Sequence, residues 1–225
     1  METNLRRSRL RLALAIATLL VIVLGVIAEL SVHLLPETAI RRDLLTLLSL
    51  SYEGNLPTWY SATLLALCGG VLAVIASAAQ ADRWRWWLLS AGFFYISFDE
   101  TVGIHEAVDA MFENTSGVFY FGWVLPAAAI VAFLGLLYIP FLRRLPKRSR
   151  QRFVLAAAIY LTGALLLELP LGLWTEHAGN ENLVYAAIDL VEESLEMIGA
   201  SLFLLALVDH LCGDGGLYKL RLVRR

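Results

Sequence analysis

Long apolar runs separated by short polar breaks set the pattern of this chain. A membrane-crossing helix needs roughly 20 consecutive apolar residues. Six runs meet that length, at about 11–35, 57–79, 84–106, 119–142, 152–175 and 183–209. They predict an all-α, polytopic transmembrane helix bundle, with residues 1–225 forming a single integral membrane domain. Residues 37–50 alternate charges with leucines, which suits a short amphipathic helix on the membrane surface. The spans consume most of the chain, so any function must be built from the bundle and its short loops.

The breaks carry their own signals. Pro36 ends the first span, and Pro57 suits the first position of the second helix, with Trp59 and Tyr60 in the aromatic belt. Trp84-Arg85-Trp86-Trp87 anchors the start of the third. Pro170 cannot donate to the carbonyl of Leu166, so the fifth span is expected to kink beside Glu168.

Composition sharpens this picture: 59% of the chain is hydrophobic, against about 45–50% for an ordinary soluble domain. A net charge of −2 says little, but the placement of charge says more. Of the 18 basic residues, 16 fall on one set of alternating segments, from Arg6 to Arg11, at Arg83 and Arg85, from Arg143 to Arg152, and from Lys219 to Arg225. Only Arg41 and Arg42 fall on the other side. The positive-inside rule therefore places both termini in the cytoplasm. Topology accounts for every basic residue, leaving nucleic-acid binding without support. The apolar stretch after Arg11 is too long for a signal peptide and lacks a small-residue cleavage site, so it is expected to stay as a first helix. Cys68 and Cys212 are expected at different depths, which argues against a disulfide.

Against this apolar background, Ser97 to Glu106 places Asp99, Glu100, His105 and Glu106 at the outer end of the third span. Ionisable groups in a span are costly, face the bundle interior and mark functional sites by default. Glu29 in the first span, Glu168 in the fifth, and Asp189, Glu192, Glu193 and Glu196 in the sixth add to them. At 1.5 Å per residue, Glu29, Asp99, Glu100, Glu168 and Asp189 lie roughly 9–12 Å below the outer surface, and Glu193 and Glu196 roughly 15–20 Å. The four acids of the sixth span share one arc of about 100°. Tyr95, Asp99, Val102 and Glu106 form one stripe on the third. The inner half of the bundle is expected to hold essentially no acids.

The buried spans supply no Lys or Arg to this cluster; only Arg41 and Arg42 could fold over it as counter-ions. So many carboxylates cannot all stay ionised without cations. Either some hold protons, or a divalent metal ion is bound. Asp99, His105, Glu106, Glu168, Asp189, Glu192 and Glu196 are the expected metal donors, with His33 as a further one. Glu100 and Glu193 are the expected general bases for a metal-bound water. The di-iron Glu-x-x-His pairs, the HExxH zinc motif, a Ser-His-Asp signature, a phosphate loop and a dinucleotide fingerprint are all absent from the sequence.

Three segments taken together, Glu53 to Ser61, Ser97 to Glu100 with His105-Glu106, and Glu192 to Gly199, resemble a group of small, uncharacterised, six-helix bacterial membrane proteins. The resemblance implies a bacterial cytoplasmic membrane and no particular activity. Three functions fit the residues: a metal-dependent enzyme acting on a lipid-like or small periplasmic substrate, a proton- or cation-coupled transporter, and a non-catalytic sensor or assembly protein.

Overall fold

The computed structural model describes residues 2–112 and 115–212, with the side chains of residues 2–6 and of His33 outside that set. The side chains of His33, expected as a donor, and of Arg6, and the whole of Lys219, Arg221, Arg224 and Arg225 used to orient the termini, therefore lie outside what is described. The described chain is helical, in the order α1 (Glu2–Leu34), α2 (Ala39–Leu48), α3 (Leu56–Ala78), α4 (Arg83–Val102) and α5 (Ile104–Asp109). A 3-10 turn at Gly117–Phe119 then leads to α6 (Val124–Arg144) and α7 (Lys147–Leu161). After a π-helical stretch at Thr162–Leu167 come α8 (Glu168–Ala178) and α9 (Leu183–Cys212).

Among the described residues, five segments are long and apolar enough to cross a membrane: Arg7–Val32, Leu56–Ala78, Val124–Arg144, Lys147–Ala178 and Leu183–Cys212. By length and composition the chain is a multi-pass membrane protein. The third expected span, 84–106, falls short of that standard. Arg83, Arg85, Asp99 and Glu100 dilute it, and it ends at Val102 because Gly103 turns left-handed, at φ 67°. A residue with a Cβ is strained there; glycine is not. α4 nevertheless runs the length of the bundle. Its start touches the end of α6, where Tyr138 donates to the Arg85 carbonyl at 2.7 Å. Its other end lies near the start of α3, where Ser97 donates to the Ala62 carbonyl at 2.8 Å.

The first turns of α1 and the last turn of α9 lie together. Arg7 donates to the Cys212 carbonyl at 3.3 Å, and Arg11 pairs with Asp209 at 2.7 Å. α2 forms as expected, capped by Thr38, whose side chain accepts from the Arg41 amide. Asn55 caps α3, with Pro57 in its first turn. Proline fits there because the first-turn N–H has no helical partner to lose.

α7 and the π-helical stretch that follows it press their backbone against α9. A Cβ on Gly199 would lie 2.6 Å from the Tyr160 amide nitrogen, and one on Gly163 would lie 2.7 Å from the Glu192 carbonyl oxygen. Small residues let two backbones touch, the usual device where lipid offers no hydrophobic drive for helix association. The main apolar core fills mid-bundle, with Leu65, Cys68 and Leu72 of α3 against Leu204 and Leu207 of α9. Trp86 and Phe141 close it, edge to face at 4.8 Å. Thr18 ties α1 to this unit through Tyr60, at 2.7 Å, and Ser201, at 3.0 Å. Elsewhere α6 turns Ile130, Phe133 and Leu136 outward, as a lipid-facing helix would.

Just before Glu168, where the sequence predicts a kink, the helix opens into a wide π-helical turn at Thr162–Leu167. Proline removes the donor that would close the preceding turn, and the chain answers with a looser turn. The added residue rotates α8 relative to α7 by about 100°. This rotation directs Glu168 towards Trp123, Asp109 and Asp189.

A candidate carboxyl site at one end of the bundle

Gly103 separates Asp99 from His105 and Glu106, so the expected single stripe through Asp99 and Glu106 is broken. His105 folds back over the end of α4. Its amide donates to Asp99 Oδ1 at 2.9 Å, and its ring Nδ1 lies 3.2 Å from Asp99 Oδ2. Holding the ring through Nδ1 leaves Nε2 facing Glu53, at 3.7 Å from Oε1. Trp123 flanks the imidazole at 5.1 Å between centroids. The carboxylates of Glu53 and Glu106 both lie over Gly103, 3.2 and 3.1 Å from where a Cβ would sit. Asp99, His105, Glu106 and Glu53 thus form an outer group at the mouth of the bundle.

Behind it lies a second group. Glu100 points inward beside Ser61, whose buried Oγ makes no hydrogen bond of normal geometry. On α9, Asp189, Glu192 and Glu196 are buried. Glu196 lies beside the Tyr160 hydroxyl and has Glu100 and Glu168 as charged neighbours. Glu193 faces Glu196 and Glu100. Asp189 accepts from Ser51, and Glu29 accepts from Ser49. Glu192 Oε2 is buried without a hydrogen-bond partner. Such an orphan acceptor is costly unless a proton, water or ion satisfies it.

The proposed counter-ions do not reach the cluster. Arg41 donates to the carbonyls of Val32, at 3.3 Å, and Leu35, at 3.0 Å, and so closes the end of α1. Arg42 pairs with Glu37 at 3.4 Å. The seven expected metal donors divide between the two groups: Asp99, His105 and Glu106 in the outer, and Glu168, Asp189, Glu192 and Glu196 in the inner. Among the described residues no three His, Cys, Asp or Glu side chains converge closely enough to hold a metal ion. The two expected bases, Glu100 and Glu193, belong to the inner group. Beneath Glu196 the bundle turns apolar, with Met197, Ala200 and Leu204 buried.

Sequence reasoning missed several members of the site. Glu53, Ser49 and Ser51 sit in the turn before α3, which reads as structural because Asn55 and Pro57 do cap and start that helix. Ser61 and Tyr160 look like ordinary residues of apolar helices. Tyr160's sequence signal is its spacing: Tyr160 of α7 and Gly163 of the π-helical stretch lie three residues apart, as Glu196 and Gly199 do on α9.

Glu53 lies outside the spans, and its carboxyl is raised above the ordinary value of 4.5, first by burial and then by the Glu106 charge. Well below that value both folded and unfolded chains hold the proton, and Glu53 contributes no pH dependence. As pH rises, the unfolded chain ionises first, so stability falls until folded Glu53 has ionised too. Glu53→Gln is expected to remove this loss. Thermal unfolding from about pH 4 to about pH 8 should show the variant gaining on the wild type as pH rises. Parallel profiles would refute the assignment.

Residues 12–211 match a family described as a domain of unknown function (DUF8692). No curated protein and no solved structure matches the chain.

Proposed function

For this chain, which belongs to the DUF8692 family, we propose a membrane protein whose carboxyl cluster exchanges protons or a cation with the outer face of a bacterial cytoplasmic membrane. In this reading α4 is a sixth span, both termini are cytoplasmic, and the acidic end of the bundle faces the periplasm.

One observation carries the proposal. Carboxyls from α1, α4, α8 and α9 gather at one end, while Arg41 and Arg42, the nearest basic residues in sequence to that end, are engaged elsewhere. A cluster of this composition is stable when protons or a small cation replace the missing counter-charge. Carboxylates within a span are the usual binding and relay groups of coupled transport. The outer group offers an entry, since Glu53 and His105 are partly open to solvent and His105 and Asp99 are neighbours of Glu100. The π-helical turn beside Glu168 adds a loosely closed helix at the same depth, a feature frequent at functional sites.

A hydrophobic carbodiimide, which modifies carboxyls that hold a proton within a membrane, tests this reading. Peptide mapping of the detergent-purified protein should find the modification on Glu193 or Glu196, reduced when a cation occupies the cluster. No modification at any pH would sink the exchange reading.

The Asp99–His105 pair favours a second reading, hydrolysis, because an imidazole oriented by a carboxylate is a ready general base. In this reading His105 would take the proton of a water attacking a lipid-like or small periplasmic substrate, with Glu100 or Glu193 as further bases. Hydrolysis of a lipid ester by the purified protein, lost in Asp99→Asn, would establish the enzyme reading in place of exchange.

A further inference from the structure

Acids at the two ends of the bundle differ in their partners. Asp82 and Asp209 lie at the end away from the carboxyl cluster, where the sequence led us to expect no acids, and arginines neutralise both. Asp82 accepts from Arg85 and from Arg144, the latter at 2.7 Å. Asp209 accepts from Arg11 at 2.7 Å and from Arg152 at 2.5 Å. In the inner carboxyl group hydroxyls stand where those arginines would be: Ser49 on Glu29, Ser51 on Asp189 and Tyr160 beside Glu196. Two atoms there, Glu192 Oε2 and Ser61 Oγ, have no hydrogen-bond partner among the described residues. Glu192 is 6% exposed and Ser61 1%.

An opening in the side of the bundle leads to this group. α4 and α6 meet at both ends: Trp86 lies against Phe141 and Tyr138 against the Arg85 carbonyl at one, and His105 lies against Trp123 at the other. Between those ends, among the described residues, α4 packs along α3 and α6 along the π-helical stretch, not along each other. Burial follows the same pattern. On α6 one helical stripe is buried at Val124, Tyr138 and Phe141 and only half-buried at Ala127, Val131 and Leu134. On α4, Leu89, Gly92 and Ile96 share a half-buried face, and a Cβ on Gly92 would meet nothing within 4 Å. Glu100, Tyr160 and Glu193 keep part of their surface open, whereas Glu192 and Glu196 are buried. Phe93, two turns along α4 from Glu100, stacks on Phe203 of α9 at 4.9 Å between centroids and floors the opening.

We infer that this opening admits an amphiphilic organic cation from the bilayer, a hydrocarbon body carrying one quaternary or protonated amine, whose charge rests among Glu100, Glu193 and Glu196. The inference builds on the exchange reading above and names the cation. Carboxylates without basic partners call for positive charge. A small metal ion that sheds its water needs a closed shell of donors, and among the described residues no three His, Cys, Asp or Glu side chains converge to form one. An organic cation needs no such shell. It is held by ring faces as well as by carboxylates, and Tyr160 and Phe93 bring rings to the same level. The walls suit it too, since Leu89, Ile96, Val131 and Leu134 offer a hydrocarbon body an apolar passage that would cost a hydrated ion its solvation.

The test measures binding of labelled tetraphenylphosphonium to the full chain in neutral detergent, by equilibrium dialysis against protein-free micelles. Tetraphenylphosphonium should bind saturably and shield Glu193 or Glu196 from carbodiimide. Tetraphenylborate, an anion of the same shape added to a separate sample, should shield neither. Glu100→Gln should weaken tetraphenylphosphonium binding about tenfold or more, as loss of one member of a buried charge pair does. Gly92→Leu places its side chain in open space, so the bundle should fold and the entrance narrow. Its binding, followed by stopped-flow tryptophan fluorescence, should be slower than that of the wild type. The inference fails if wild-type protein takes up no more than empty micelles, or if tetraphenylborate shields equally, comparisons that depend on no variant. It also fails if Glu100→Gln binds like the wild type, and a wild-type rate in Gly92→Leu overturns the side entrance. Suppression of carbodiimide modification by sodium, with tetraphenylphosphonium inert, overturns this inference and leaves the exchange reading standing.

Discussion

Gly199→Leu is expected to prevent the bundle from assembling into a folded unit in detergent. The position where its Cβ must go is 2.6 Å from the Tyr160 amide nitrogen and 2.8 Å from Tyr160 Cα, so the obstacle is backbone that cannot rotate away. Inserting bulk into a packed interior usually costs about 1–3 kcal/mol, and a clash against backbone exceeds that range. The consequence reaches the site. Separating α7 from α9 also separates Tyr160 from Glu196, so the cluster should lose its arrangement as the helices part. Gly199→Ala should give a milder form of the same defect. Gly70→Ala is the control, because a Cβ there meets nothing within 4 Å and alanine favours a helix over glycine by up to about 1 kcal/mol. Denaturant or thermal unfolding in detergent should rank Gly70→Ala at or above wild type, with Gly199→Ala below it and Gly199→Leu unfolded. Equal stabilities for the two alanine variants would show that the α7–α9 contact is looser than described.

Glu193→Gln and Glu196→Gln are expected to leave the bundle folded and its exchange chemistry gone. Glutamine keeps the shape and the hydrogen-bonding reach of a protonated glutamate but cannot release a proton or carry charge. Each substitution also removes one like charge from a group that lacks counter-ions, so stability should hold or rise. Carbodiimide modification of the remaining cluster, and its suppression by cations, should fall at least tenfold in either variant. The two must act alike, because Glu193 and Glu196 face each other and both face Glu100. Full modification elsewhere in the cluster, still blocked by cations, would show that the exchanging group lies in the outer set around His105.

The sequence alone determined the class of the molecule and the intramembrane acids of its site. Hydrophobic run length is enough to mark membrane-crossing helices, because lipid demands about the same apolar length of each. The same rule makes an acid within such a run conspicuous, and so Asp99, Glu100, Glu168, Asp189, Glu192, Glu193 and Glu196 stood out. Chain periodicity also placed α2, the start of α3 and the common face of the α9 acids.

Tertiary structure decided how those residues are grouped. A left-handed glycine at 103 breaks the expected stripe through Asp99 and Glu106 and folds His105 back onto Asp99, while Glu100 faces inward beside Ser61. The π-helical turn rotates Glu168 through an angle that a proline in the sequence does not specify. Glu53, Ser51 and Tyr160 join the site from segments whose local sequence is explained by capping and packing alone. Asp82 and Asp209 lie far apart in the chain, and they meet Arg144 and Arg152 only when the ends of α4, α6, α7 and α9 come to one level. Local pattern records what each residue prefers as solvent. Which polar groups share a pocket depends on helix rotation and register, and those are fixed by contacts between segments, such as Gly163 and Gly199 against α9 and α7, that no single stretch of sequence contains.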